Sequence, residues 1–177
     1  MKYTLYILIL LCVTSPALAA WDLNLSAKPL PYPAPEGLFV SQGKVLSMEK
    51  YRGHKVMLWI FSTWCHTCVV AVKGLEKNNA ELQKNGLTIL ALRNYKNGGN
   101  SGLSIEQFIE KFAPSISQAK NWILGEATAQ LDNSYNAHHY ADVYFLIDEQ
   151  GMVQVVSTSP AATLSTIQEF VAGQYDE

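Results

Sequence analysis

The chain has 177 residues, of which 49% are hydrophobic and 16% are charged, and its formal net charge is −2. This composition is typical of a globular protein with one hydrophobic core, and the length favours a single domain. The near-neutral charge gives no support for nucleic acid or an anionic membrane as a partner.

The N-terminus has the layout of a secretory signal peptide. Lys2 precedes an apolar stretch over residues 5–13, and small residues then lead to a cleavage site after Ala19 or Ala20. The apolar stretch is short for a bilayer span, which argues against the alternative of a retained membrane helix. We therefore expect a cleaved signal peptide over residues 1–20 and export, with the periplasm as the destination.

Two cysteines remain after this cleavage, because Cys12 lies within the signal peptide. In an oxidising compartment Cys65 and Cys68 can pair only with each other or with a partner protein. A bond between residues this close removes little entropy from the unfolded chain, so it would be a weak structural staple. A structural zinc site usually has four Cys or His ligands, and no second Cys-x-x-Cys is present. The pair is therefore a candidate redox site.

The first half of the mature chain contains a strand–helix–strand unit. Residues 21–37 carry four prolines at alternate positions, which predicts an extended lead-in and excludes an interior strand. Gly43 marks a turn between two short strands. The apolar runs at 55–62 and 87–92 predict buried strands, and the helical period between them ends at Gly86. The unit predicts a parallel strand pair with a right-handed crossover.

The second half begins with a polar loop rich in Gly and Asn, residues 93–102, which we expect to be mobile. Ser104 and Gln107 then form a capping box that begins a helix. The sequence "NWIL" predicts a short strand, and residues 126–135 predict a modest helix.

The C-terminal segments predict a β-hairpin and a last helix. The apolar sequences "DVYFLID" and "GMVQVVS" flank a turn at "EQG". The last helix is expected to begin at Ser159-Pro160 and to end at Gly173. We expect one domain over residues 38–173, with residues 174–177 as a tail.

This order of elements, with a Cys-x-x-Cys between the first buried strand and its helix, resembles the thioredoxin fold. The sequences "GKVLSMEKYRGHKVMLWIFSTWCHTC" and "YADVYFLIDEQGMV" resemble the TlpA/ResA-like (redoxin) family of exported thiol-disulfide oxidoreductases, and the similarity covers residues 37–170. It implies an α/β fold, a central mixed sheet flanked by helices, here with an N-terminal extension. It also implies a reductase, and an isomerase or an oxidant stays open as an alternative. The exchange of disulfides needs no small-molecule cofactor. The protein's partners would be exported cysteine-containing proteins and a membrane thiol electron donor, and we expect a monomer.

The strand-to-helix junction places Cys65 at the start of a helix. Unpaired N–H groups and the helix dipole favour the thiolate there, and the thiolate is the nucleophile in disulfide exchange. Cys68, one turn later, is positioned to resolve a mixed disulfide on Cys65. We expect Cys65 to be the accessible, attacking sulfur. The family resemblance implies that Trp64 shields one side of the site.

His66 has two interpretations. A protonated imidazole beside the thiolate would lower the pKa of the cysteine and make the disulfide more oxidising. Alternatively, His66 faces solvent and is not coupled to the cysteines.

Three positions depart from the family pattern. No proline lies near the cysteines, Trp59 stands where thioredoxins bury a carboxylate, and Asp142 stands at the position of the cis-proline. A cis bond before Asp142 would cost about 3 kcal/mol and is not expected. Three roles of Asp142 stay open: it raises the pKa of the thiols, it accepts a proton from Cys68, or it points to solvent.

A copper site is the alternative function. His138 and His139 precede the predicted hairpin, and two thiolates with an imidazole suit copper. Sco-like copper-binding proteins have this fold and a histidine in this neighbourhood, so Cys65 and Cys68 with either histidine form the alternative ligand set. A third alternative is a noncatalytic thioredoxin-like binding module with a permanently oxidised pair.

Overall fold

The structure is a computed structural model that describes residues 28–174. The predicted signal peptide and residues 175–177 of the predicted tail lie outside the described residues. Among the residues that are described, no helix has both the length and the apolar character needed to cross a membrane.

In the described part of the chain, eight strands form one mixed sheet. The strands are β1 Tyr32–Pro33, β2 Leu38–Ser41, β3 Lys44–Ser47, β4 Lys55–Phe61, β5 Leu87–Arg93, β6 Trp122–Ala127, β7 Asp142–Ile147 and β8 Met152–Ser157. Their order in the sheet is β1-β8-β7-β4-β5-β6-β2-β3. Strands β4, β5 and β6 are parallel to each other, and the other neighbours pair antiparallel. The central position of β4 explains its near-continuous apolar sequence, because both of its faces are covered.

The same residues contain four α-helices, which lie on both faces of the sheet. They are α1 His66–Lys84, α2 Ile105–Phe112, α3 Ala129–Tyr135 and α4 Leu164–Ala172. Alternate residues of β4 point to opposite faces, so Trp59 and Phe61 pack with α1, α2 and α4, whereas Leu58 and Ile60 pack with α3. The predicted central sheet flanked by helices is therefore confirmed.

Several local predictions are confirmed. The β4–α1–β5 unit has parallel strands, and β7 and β8 form the predicted antiparallel hairpin. Gly43 lies in the turn between β2 and β3 with φ of 72°. In α2, the Ser104 side chain accepts from the N–H of Gln107, and the Gln107 side chain accepts from the N–H of Ser104.

Some boundaries differ from the predictions. Strand β6 continues to Ala127, beyond the predicted "NWIL", because Glu126 and Ala127 pair with β2, and α3 begins only at Ala129. Helix α4 begins at Leu164 rather than at Ser159, which has a left-handed φ of 53° that cannot continue into a helix. The proline-rich lead-in pairs with β8 through β1, at the edge of the sheet where a proline is tolerated.

Candidate active site

The candidate site lies at one edge of the sheet, where three chain segments meet. Strands β4 and β5 are parallel and end at this edge, and the antiparallel strand β7 begins there. The segments that follow β4 and β5 and the segment that precedes β7 therefore converge. This convergence brings residues 62–65, 94–99 and 140–142 together around the cysteines.

Cys65 and Cys68 form a disulfide, and their Cα atoms are 5.3 Å apart. Cys65 is the N-cap of the 19-residue helix α1, and its Sγ accepts from the N–H of Cys68 at 3.3 Å. The sequence predicted this placement of Cys65. Cys65 is 6% exposed and Cys68 is 0% exposed. Cys65 is therefore less accessible than the sequence predicted, but it is the only cysteine of the pair that solvent reaches.

Thr67 contacts the sulfur of Cys65, and the sequence reasoning missed this contact. Its Oγ1 lies 3.1 Å from Cys65 Sγ. The available signal was a hydroxyl residue in the first turn of the helix, two positions after a cysteine at the N-cap. Two hydrogen-bond donors, the Thr67 hydroxyl and the Cys68 N–H, therefore lie next to the Cys65 sulfur.

Trp64 and His66 flank Cys65 on the surface. Trp64 is 48% exposed, and its indole Nε1 donates to the carbonyl of Asn97 at 2.9 Å. This bond holds the indole against the loop that follows β5. The side chain of His66 is exposed, as in the solvent-facing interpretation of this residue.

Two asparagines of the loop that follows β5 are packed against the site, whereas residues 95, 96 and 98–102 are exposed, and the mobility of the loop stays a prediction. Asn94 and Asn97 are 2% and 3% exposed, although both lie in a polar sequence. Asn97 Oδ1 accepts from the backbone N–H of Thr63 at 2.9 Å, and Asn94 Nδ2 donates to Ser62 Oγ at 2.9 Å and to the carbonyl of Tyr140 at 3.1 Å. These side chains link all three segments of the site.

Asp142 is buried, so the interpretation that it points to solvent is wrong. It is 7% exposed, and its carboxylate accepts from Trp59 Nε1 at 2.7 Å and from the N–H of Ser159 at 3.1 Å. Burial raises the pKa of Asp142 above its ordinary value, and the hydrogen bonds from Trp59 and Ser159 act in the opposite direction. Trp59 and Asp142, which each depart from the family pattern, therefore form one hydrogen-bonded pair.

The Asp142 backbone also connects to the cysteines. The carbonyl of Ala141 accepts from the N–H of Ser62 at 2.9 Å and lies 3.5 Å from Cys68 Sγ. The Ala141–Asp142 peptide is trans, since Leu30–Pro31 is the only cis peptide among residues 28–174. Ala141 therefore links the buried carboxylate to the wall beside Cys68 through a trans peptide, as expected for a residue other than proline.

The structure does not assemble the alternative copper ligand set. His138 and His139 are exposed, and the ring of His138 lies 5.8 Å from the ring of Tyr140. Among the described residues, no three or more His, Cys, Asp or Glu side chains are close enough to hold a metal ion. Cys65, Cys68, His138 and His139 therefore do not form one centre in this structure.

Comparison with known structures supports the thioredoxin-like fold. A putative thiol:disulfide interchange protein DsbE from Chlorobium tepidum matches with a TM-score of 0.64 and 18% identity, over 82% of this chain and 97% of that chain. A thiol:disulfide interchange protein from Bacteroides sp. matches with a TM-score of 0.59 and 16% identity, over 82% of this chain and 92% of that chain. At these identities the likeness concerns the fold.

Sequence comparison assigns the family. Two curated relatives, both named thiol-disulfide oxidoreductase ResA, are similar to part of the chain: the protein from Geobacillus kaustophilus is 31% identical over 63% of this chain, and that from Geobacillus thermodenitrificans is 29% identical over 66%. The matches span 58% and 62% of the relatives' own lengths. The Redoxin family model matches residues 31–170, which include both cysteines and all eight strands. The chain therefore belongs to the Redoxin family.

Proposed function

We propose that this protein is an exported thiol-disulfide oxidoreductase that reduces disulfides in other exported proteins through Cys65 and Cys68. The observation that carries the proposal is the disulfide at the N-terminus of α1, in which only Cys65 retains exposure. The name shared by the two curated relatives supports the activity. The reductase direction depends on the TlpA-like resemblance, and export depends on the signal-peptide layout of residues 1–20.

The proposed reaction consists of two exchanges. The Cys65 thiolate attacks one sulfur of a partner disulfide, which forms a mixed disulfide and releases the other partner sulfur as a thiolate that takes a proton from water. Cys68 then gives its proton to water, which restores the one taken up by the first partner thiolate, and attacks Cys65 Sγ. This attack releases the second partner thiolate and forms the Cys65–Cys68 disulfide. Two electrons pass from the protein to the partner. The buried position of Cys68 favours this order, because a partner cannot reach it first.

The protein must then be reduced again. In an oxidising compartment this requires a dithiol donor, and we propose a membrane thiol protein for this role. No other cofactor is required, because the sulfur atoms carry the electrons. The residues beside the cysteines, Trp64, His66 and Asp142, are proposed to modulate the site. We propose that the protein works as a monomer.

The test is a disulfide-reduction assay with purified mature protein and dithiothreitol as the electron donor. We expect the wild type to accelerate reduction of a peptide disulfide, and Cys65→Ser to abolish the acceleration. Cys68→Ser should accumulate a mixed disulfide through Cys65, because the resolving sulfur is missing. A wild type no faster than dithiothreitol alone, with no adduct in Cys68→Ser, would instead favour a noncatalytic binding module.

A further inference from the structure

The hydroxyl of Thr67 occupies a defined position next to the sulfur that attacks. Thr67 Oγ1 lies 3.1 Å from Cys65 Sγ, and the N–H of Cys68 lies 3.3 Å from the same atom. Among the described residues, Thr67 supplies the only side-chain hydrogen-bond partner of this sulfur. Thr67 itself is exposed in the first turn of α1, so no packing requirement explains its contact with the cysteine.

Chemistry decides which atom is the donor in the contact between Thr67 Oγ1 and Cys65 Sγ. A disulfide sulfur and a thiolate sulfur carry no hydrogen, so in both states Thr67 must be the donor and Cys65 the acceptor. A hydrogen bond to an ion is about twice as strong as one between neutral groups. The hydroxyl therefore stabilises the thiolate more than it stabilises the disulfide or the thiol.

We propose that Thr67 is a catalytic residue whose hydroxyl donates a hydrogen bond to the Cys65 thiolate and so increases the fraction of Cys65 that is ionised. This inference deepens the proposed function and rests on it. A proline or an aliphatic residue at this position would have no hydroxyl, and the helix N-terminus alone would then stabilise the anion.

The hydrogen bond from Thr67 to Cys65 also acts when the dithiol donor reduces the Cys65–Cys68 disulfide. A thiolate of the dithiol donor attacks Cys65 Sγ, breaks its bond to Cys68 and leaves a mixed disulfide, while Cys68 takes up a proton. The second donor thiolate attacks the donor sulfur of this mixed disulfide, which closes the donor disulfide and releases the Cys65 thiolate. Thr67 stabilises the leaving thiolate in this last step, because the leaving sulfur is the atom that accepts its hydrogen bond.

The experiment compares Thr67→Val, Thr67→Ser and Thr166→Val. Valine keeps the branched shape and removes the hydroxyl, whereas serine keeps the hydroxyl. Thr166→Val is the control, because it makes the same substitution at a half-buried position of α4, outside the site. The readout is the alkylation rate of the reduced mature protein, which lacks Cys12, with iodoacetamide as a function of pH. It reports Cys65 because Cys68 is fully buried.

We expect Thr67→Val to move the alkylation midpoint to higher pH, with about three- to tenfold less thiolate at a given pH below the midpoint. The lower limit of this decrease is small because Thr67 is exposed, so water can replace part of the lost hydrogen bond. Thr67→Ser and Thr166→Val should match the wild type. The inference is wrong if Thr67→Val matches the wild type, or if Thr67→Ser shifts as far as Thr67→Val.

Failure of this inference can be separated from failure of the proposed function. The alkylation experiment needs neither a partner nor turnover, whereas the proposed function is tested by disulfide reduction in the wild type. Catalysis by the wild type with no shift in Thr67→Val would overturn the role of the hydroxyl alone. A clear shift without catalysis would confirm the hydrogen bond and overturn the proposed function.

Discussion

Replacement of Asp142 by asparagine tests how the hydrogen bonds and the charge of the buried carboxylate affect the stability of the protein. In the wild type the carboxylate accepts two hydrogen bonds, from Trp59 Nε1 at 2.7 Å and from the N–H of Ser159 at 3.1 Å. The asparagine carbonyl can still accept from Trp59. Its NH₂ group would face the N–H of Ser159, so two donors would meet and one would lack an acceptor. An unsatisfied buried donor costs about 1–3 kcal/mol.

The difference in stability should depend on pH with a defined sign. Burial raises the pKa of Asp142 in the folded state, so the folded protein holds this proton more tightly than the unfolded chain does. The contribution of Asp142 to stability is therefore greatest below the ordinary pKa of 3.8 and falls as pH rises through the raised value. Each unit by which burial raises the pKa of Asp142 removes about 1.4 kcal/mol from the free energy of unfolding once the carboxyl is ionised. Asparagine does not titrate at this position.

The assay is urea unfolding of oxidised wild type and Asp142→Asn between about pH 3 and pH 8. We expect the wild type to be more stable by about 1–3 kcal/mol at the acidic end, because the hydroxyl oxygen of the protonated carboxyl can still accept from Ser159 whereas the NH₂ group of asparagine cannot. The difference should narrow as pH rises. Trp59→Phe is the companion variant, because losing the indole donor should extend the pH dependence to higher pH. A difference that stays constant across the whole range would refute the reasoning.

Substitutions at three further positions test the local structure by urea unfolding. Ser104→Ala removes the cap of α2 and should cost about 1 kcal/mol, whereas Ser104→Asp should retain most of the stability. Gly125→Ala should cost at least about 1–3 kcal/mol, because its Cβ would lie 2.5 Å from the carbonyl of Val40, and unchanged stability would contradict the β2–β6 packing. Asn97→Ala should cost about 1–3 kcal/mol, because the buried N–H of Thr63 loses its acceptor, and a loss below about 0.5 kcal/mol would contradict that.

The elements that the sequence predicted well have local signals. The apolar run of β4 and the change to a helical period after Cys65 are visible over fewer than 30 residues. The capping box of α2 is a pattern of four residues. The boundaries that were wrong depend on distant residues instead. Strand β6 extends because Glu126 pairs with Val40 on β2, and the turn before α4 is held by the bond from Ser159 to Asp142.

The site shows the same division. Cys65 at the helix start could be predicted, because a strand, a short turn and a helix are consecutive in the sequence. The burial of Asn94 and Asn97 could not be predicted from the composition of their loop, since a polar, glycine-rich sequence is typical of an exposed loop. Asn94 and Asn97 are buried because the ends of neighbouring strands offer them hydrogen-bond partners.

By itself, the sequence determined that two cysteines lie one helical turn apart, directly after a buried strand, because spacing and period within one short segment specify that arrangement. Only the tertiary structure decided what surrounds the sulfur atoms and which groups tune them. Trp59 and Asp142 are 83 positions apart in the chain, yet they share a hydrogen bond because β4 and β7 are neighbours in the sheet. That adjacency depends on strand order and register, which no local pattern encodes.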